Sequence, residues 1–255
     1  MFHLSWIKYG ILKGLRYRIN TISWFMADIS LYLSTILMYL LLSSVFDNFG
    51  SYTKLEMSFY ISTYFLVNNI YAIFFSEASA SYENSILNGT YAYFQLTPAG
   101  ALKSLILLNF NFPAFLSFPM LLAFNIYSLC SLSPVLLNII IYYISILFSC
   151  GIMFFLFQSL SSLVLFGLRS SSLQSVVVQF FSIAEKPDSV FHPAFRKAFT
   201  YVIPAFMLSA VPTRILLGSC TTVEIIALFI GPFILGVIYL WLSIVGNKKL
   251  QISGY

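Results

Sequence analysis

Formal charge is what this chain has least of: Lys, Arg, Asp and Glu together make up 8% of its 255 residues, thirteen cations and eight acids. A soluble domain carries about a quarter charged residues, so a water-facing surface of ordinary extent is excluded. Histidine occurs only at His3 and His192, too few and too scattered for a metal site. Cys130, Cys150 and Cys220 have no metal-ligand spacing and sit in or beside apolar runs, which reads as inert thiols. Cys130 and Cys220 both fall toward the outer face of the topology below, where an oxidising compartment would permit a bridge. A GxxxxGKS/T phosphate loop, HExxH, GxSxG and a Gly-rich dinucleotide turn are all missing. So is any mid-membrane carboxylate pair, Ser-Lys pair or His cluster, which leaves no self-contained catalyst. Asp28, Glu77 and Glu224 are placed at span ends, so the intramembrane acids that ion-coupled carriers use are lacking too.

What remains is 60% hydrophobic residues at a mean hydropathy of +0.90, arranged in long uncharged runs. Crossing about 30 Å of hydrocarbon takes about 20 helical residues, because lipid offers backbone polar groups no partner. The expected fold is an all-α membrane protein with six transmembrane helices, at residues 27–46, 57–76, 104–130, 134–166, 167–184 and 223–245. Ahead of them, residues 2–24 mix Lys8, Lys13, Arg16 and Arg18 with apolar positions at three- and four-residue steps. This is the pattern of an amphipathic interface helix whose cations face phosphates. The apolar run after it is full length without a small-residue cleavage site, so an uncleaved first span with a cytoplasmic N-terminus is expected. Asp28 falls in the first turn of that span, where the helix dipole favours it.

Residues 77–103 are polar and read as a cytoplasmic loop in which Ser79 to Leu87 form a helix stopped by Asn88-Gly89. There the sequon Asn88-Gly89-Thr90 carries no glycosylation meaning. From Ser104 to Leu168, 65 consecutive residues carry no formal charge, which fits two spans broken before Pro134, with Pro113 and Pro119 kinking the first. Residues 185–222 are apolar stretches punctuated by Pro193, Pro204 and Pro212 and closed by Arg214. They suit an external re-entrant hairpin covered by protein, with Arg214 hydrogen-bonded to carbonyls that the prolines free. Eight cations then lie inside and five outside, in agreement with the positive-inside rule. A rival topology keeps residues 169–197 cytoplasmic and crosses with residues 198–218, and its charge bias is stronger.

A basic amphipathic helix, six spans, a helical cytoplasmic loop after span 2 and a proline-rich hairpin before span 6 together resemble the permease subunit of a type-2 ATP-binding-cassette exporter. Pro193, Pro204, Arg214 and Gly218 follow the order of its external hairpin. Gly89 followed by Leu96-Thr97-Pro98 is similar to a divergent bacterial branch with an L-x-P signature. The resemblance implies the external placement of residues 185–222 and a pathway built from two identical or related permease subunits in a bacterial cytoplasmic membrane, both termini inside. It also implies that separate ATPase subunits carry the ATP and Mg, with no cofactor or nucleic acid held by this chain. By the same resemblance, Tyr82, Glu83, Asn84, Ile86 and Leu87 contact the ATPase and Arg16 and Arg18 anchor the interface helix. Asn68, Asn69, Gln174 and Gln179 would line the pathway, and Glu83→Lys with Tyr82→Ala would lose transport while keeping the fold. An ATP-independent carrier or channel and a non-transport scaffold are the alternative readings.

Overall fold

The computed structural model describes residues 2–46, 48–98 and 100–252. Helix α1 (Phe2–Arg16) ends at Tyr17, whose φ of −99° and ψ of 55° lie outside the helical region, and α2 (Arg18–Val45) begins at once. The expected single helix over residues 2–24 is therefore two pieces: Arg16 closes α1 and Arg18 opens α2, its Nε donating to the Leu15 carbonyl. The break lets α1 seat its small residues on the bundle. A Cβ added at Gly10 would meet Phe110 at 2.9 Å, and one added at Gly14 would meet the Phe112 ring at 2.6 Å. Asp28 consequently lies beyond the first turn of α2, out of reach of the dipole argument.

A two-residue-per-strand hairpin, β1 (Asn48–Phe49) and β2 (Tyr52–Thr53), pairs Phe49 with Tyr52 around Gly50 at φ 63°. Thr53 then caps α3 (Lys54–Tyr71) through a reciprocal box with Glu56. Helix α3 is the axis of the bundle, with Phe59, Tyr60, Ser62, Thr63 and Val67 fully enclosed. It does not end where the sequence turns polar. Residues Ala72–Ser76 form a π-helical turn, and α4 (Glu77–Leu87) continues the same rod. The expected aqueous loop from residue 77 is corrected accordingly: Ala78, Ser79, Tyr82, Glu83 and Ser85 are buried against neighbouring protein.

Asn88 and Gly89, at φ 69°, stop α4, as their composition leads one to expect. Helix α5 (Tyr91–Gln95) and a turn at residues 96–98 lead to α6 (Ala101–Leu108). The chain breaks at residues 109–111 and restarts as α7 (Phe112–Cys130), with the Asn111 side chain accepting from Ala114 N. Pro113 thus sits in the first turn of α7 rather than inside a kinked span, and only Pro119 is interior. Helix α8 (Leu136–Ser161) runs on as a 3-10 segment to Phe166 and stops at the left-handed Gly167. Helix α9 (Ser171–Ser182) is followed by α10 (Pro193–Tyr201), α11 (Ala210–Leu216) and α12 (Thr222–Ile252).

Among the described residues four helices are long and apolar enough to cross a membrane: Arg18–Val45, Phe112–Cys130, Leu136–Phe166 and Thr222–Lys249. The other two expected spans differ for separate reasons. Helix α3 carries Lys54 and Glu56 in its first turn, at the polar end of the bundle, and Asn68 and Asn69 further along, where the buried Asn69 finds its partners on a neighbouring helix. Helix α9 has 12 residues, about 18 Å at 1.5 Å per residue. At the other extreme stands α2, whose Leu31, Leu37, Leu41 and Val45 are all exposed.

Candidate functional site

The bundle has two polar ends. Helix α3 starts at one, beside the β-hairpin and the amino end of α12, and the α3–α4 rod finishes at the other, beside α5, α6 and the carboxyl end of α12. Gln95 of α5 makes this last contact, its Nε2 lying 3.3 Å from the Asn247 Oδ1.

At the α4–α6 end, the Glu83 carboxylate accepts from the Ser170 backbone N–H at 3.1 Å, from the Ser170 hydroxyl at 2.7 Å and from Gln174 Nε2 at 3.0 Å. It therefore caps α9 from a different helix and sits where the α9 dipole favours an anion. Gln174 also donates to Ser161 Oγ of α8, and Ser161 Oγ donates to the Ser79 carbonyl of α4, so three helices share one hydrogen-bond net. Tyr82 is enclosed, its ring edge-on to Tyr91 at 5.3 Å, and Ile86 packs against the same Tyr82, Tyr91 and Leu105 cluster.

The five residues expected to meet a partner thus divide. Tyr82 and Glu83 face inward, because an α-helix lodged between α6, α8 and α9 must bury one side; Ile86 is half-buried; Asn84 and Leu87 are exposed. At the outward tip Leu87, which is among the five, is 51% exposed, and sequence reasoning missed its neighbours Tyr93 and Leu96, 73% and 83% exposed. Leu96 opens the Leu96-Thr97-Pro98 motif, which was the available signal. Thr97 is turned inward, bonding the Phe94 carbonyl and the Ser104 hydroxyl at 2.6 Å each.

The residues expected along a pathway also separate. Asn69 is buried and donates to the Ala114 carbonyl at 3.0 Å and Ser117 Oγ at 2.9 Å, fastening α3 to α7. Gln174 belongs to the Glu83 net. Asn68 is half-buried, bonded to the Tyr64 carbonyl of its own helix, and Gln179 is exposed on α9. A cavity of about 480 Å³ opens between α4, α8 and α9, with Ser79, Glu83, Arg169, Gln174 and Val178 on its walls.

At the opposite end Arg214 is 6% exposed and Asp188 1%. The Arg214 guanidinium pairs with Asp188 Oδ2 through Nη1 and with Glu224 Oε1 through Nη2, the latter at 2.7 Å. Arg196 Nε joins Asp188 Oδ2 at 2.7 Å, and the Tyr52 hydroxyl donates to Asp188 Oδ1 at 2.8 Å. Burial alone would lower the Arg214 pKa; the Asp188, Tyr52 and Glu224 groups outweigh it and hold the pKa above the ordinary arginine value, so the guanidinium stays charged.

The expected bonding of Arg214 to carbonyls freed by prolines is corrected: it is an ion-pair hub. Pro193 and Pro212 stand in the first turns of α10 and α11, where no N–H is missed, and Pro204 lies between the two helices. The cluster joins the β-hairpin, the segment before α10, α10, α11 and α12. Beside it the Tyr60 hydroxyl lies 2.9 Å from the Ala184 carbonyl and 2.7 Å from that of Lys186. Cys220 is a free thiol whose Sγ is 3.6 Å from Glu224 Oε2, and Cys130 is free as well.

No curated protein and no solved structure gives a significant match to the chain. A family model described as ABC-2 family transporter protein matches residues 29–251, from α2 to the last turns of α12. With apolar helices of membrane-crossing length and that match across most of its residues, the chain belongs to the ABC-2 transporter family, whose members are the membrane components of ATP-binding-cassette transporters and not their ATPases.

Proposed function

We propose that this chain is the permease subunit of an ATP-binding-cassette exporter, that it works in a pair with an identical or related permease subunit, and that separate ATPase subunits holding ATP and Mg drive it. The observation that carries this reading is the tip formed by Leu87, Tyr93 and Leu96. Three large apolar side chains on an otherwise polar turn mark a docking surface, and the turn is built onto the end of the rod that runs through the centre of the bundle. A push on the tip reaches α9 through Glu83 and Ser170, and reaches α12 through Gln95 and Asn247. Asn84, Leu87, Tyr93 and Leu96 then touch the ATPase, while Tyr82 and Glu83 transmit the motion.

In this reading the tip, α1 and the C-terminal end of α12 face the cytoplasm of a bacterium, and the Asp188–Arg214 cluster with residues 185–222 faces outward. Helices α2, α3, α7, α8, α9 and α12 make six traverses. Helix α9 supports this count despite its length, since Glu83 holds its amino end at the tip side and Tyr60 holds the residues just past its carboxyl end. The exposed faces of α2 and α9, with Gln179, meet the second permease subunit and enclose the path.

A photo-crosslinking residue at Leu96 tests the docking surface: it should capture a phosphate-loop ATPase in native membranes, and capture of lipid alone argues against the reading. An impermeant thiol reagent should label Ser189→Cys from outside intact cells; labelling only after lysis would place residues 185–197 inside.

A further inference from the structure

Three interruptions of regular helix meet at one place near the α4–α6 end: the break at Tyr17, the π-helical turn at Ala72–Ser76 and the gap at residues 109–111. The Asn111 backbone N–H donates to the Ile73 carbonyl at 3.0 Å, tying the second to the third. Between them lies a cavity of about 380 Å³ that includes Lys13, Trp24, Asp28, Tyr32 and Glu77 in its walls. Small-molecule sites run from about 300 to 1,000 Å³, and π-turns and broken helices recur at such sites.

The charges in this cavity are unspent. Asp28, Glu77 and Lys13 make no side-chain hydrogen bond or ion pair among the described residues, although the cavity brings all three to one space. Asp28 is half-buried in a helix apolar enough to cross the membrane, where a carboxylate without a partner is costly and marks a ligand position. Two carboxylates sharing one cavity with Trp24 and Tyr32 suit an organic cation, since aromatic rings attract ammonium groups. Lys13 adds a point charge for a phosphate.

We propose that this cavity holds the headgroup of an aminophospholipid from the adjacent leaflet, its ammonium between Asp28 and Glu77 and its phosphodiester toward Lys13. A primary ammonium has three N–H donors for the two carboxylates. The lipid source, rather than a soluble amine, follows from the surroundings. Phe110 of the cavity wall packs at 5.9 Å on Phe74 and at 5.6 Å on Phe115, and both of these open onto the apolar exterior, which gives the acyl chains a lane. Trp24 is exposed beside the cavity, in keeping with headgroup level. The placement in the cytoplasmic leaflet rests on the orientation proposed above; the site itself does not.

Native mass spectrometry of the purified full chain in detergent, titrated with phosphatidylethanolamine or phosphatidylglycerol, tests the assignment without any ATPase. Phosphatidylethanolamine should bind about tenfold more tightly than phosphatidylglycerol, and Asp28→Asn and Glu77→Gln should each remove that preference. Thermal unfolding in lipid-free detergent should be the same for the wild type and for Glu77→Gln, whose site is on the surface. Equal retention of the two lipids by the wild type, or an unchanged preference in both variants, overturns the proposal. Soluble glycerophosphoethanolamine binding as tightly as the lipid overturns the assignment to a lipid.

Discussion

Glu83 and Ser170, one on α4 and the other at the head of α9, are joined twice, through the backbone N–H at 3.1 Å and through the hydroxyl at 2.7 Å. Hydrogen bonds to a charged acceptor contribute about 1.5 to 3 kcal/mol. Glu83→Ala should therefore lower stability by about 2 kcal/mol, with Glu83→Gln intermediate, as read by thermal unfolding in detergent. Glu83→Lys with Tyr82→Ala should destabilise still more, contrary to the expectation from sequence that it spares the fold, because both side chains are interior.

Breaking a buried ion pair by removing one partner costs about 3 to 5 kcal/mol. Arg214→Met should approach that range, since Asp188 and Glu224 lose their buried cation and keep only the more exposed Arg196. Arg196 is more than a third exposed, so Arg196→Ala should cost about 1 kcal/mol or less. Equal losses for the two variants would contradict the assignment of Arg214 as the hub.

The Cys220 thiol is pushed up to about 12, first by burial and then by the nearby Glu224 carboxylate. Thiolate is the reactive form, so in a variant with Cys130 and Cys150 replaced by serine, labelling by a methanethiosulfonate should be slow at pH 8. Because the folded-state pKa lies above the assay range, the rate should rise about tenfold per pH unit through pH 10. Saturation near pH 9 would show an unperturbed thiol, and Glu224→Gln should speed labelling at every pH.

Gly14 meets Phe112 with no room for a methyl group: its added Cβ would lie 2.6 Å from one ring carbon and 2.8 Å from the Phe112 Cβ. Overpacking of this kind costs about 1 to 3 kcal/mol. Gly14→Ala should lift α1 from α7 and increase proteolysis near Tyr17, whereas Gly89→Ala, with open space around it, should act only through its positive φ of 69°.

The sequence placed α8, the carboxyl end of α2 and the amino end of α12 to within a few residues, because lipid imposes long uncharged runs; it began α2 nine residues late, since the break at Tyr17 is not marked by composition. It misplaced the events governed by protein neighbours. Ser79, Tyr82 and Glu83 read as aqueous, yet α4 continues α3 and buries them, since the surfaces of α6, α8 and α9 supply the contacts that water would have. Pro113 reads the same from composition whether it opens a helix or kinks one; the Asn111 cap decides, and that is a local geometry. Arg214 reads from the sequence as a donor to carbonyls that the prolines free. Nothing in the order of residues pointed to Asp188, 26 positions earlier, or to Tyr52, which reaches it from the hairpin. For the same reason Glu83 looked outward until α9 was in place.

The most direct measurement is ATP hydrolysis in material isolated through this chain from its native membrane, compared between the wild type and Tyr93→Ala with Leu96→Glu. Substitutions at so exposed a tip leave stability within about 0.5 kcal/mol, so the variant should purify folded. The account predicts that ATPase activity accompanies the wild type and is lost from the variant. Activity retained by the variant, or absent from the wild type, would contradict it.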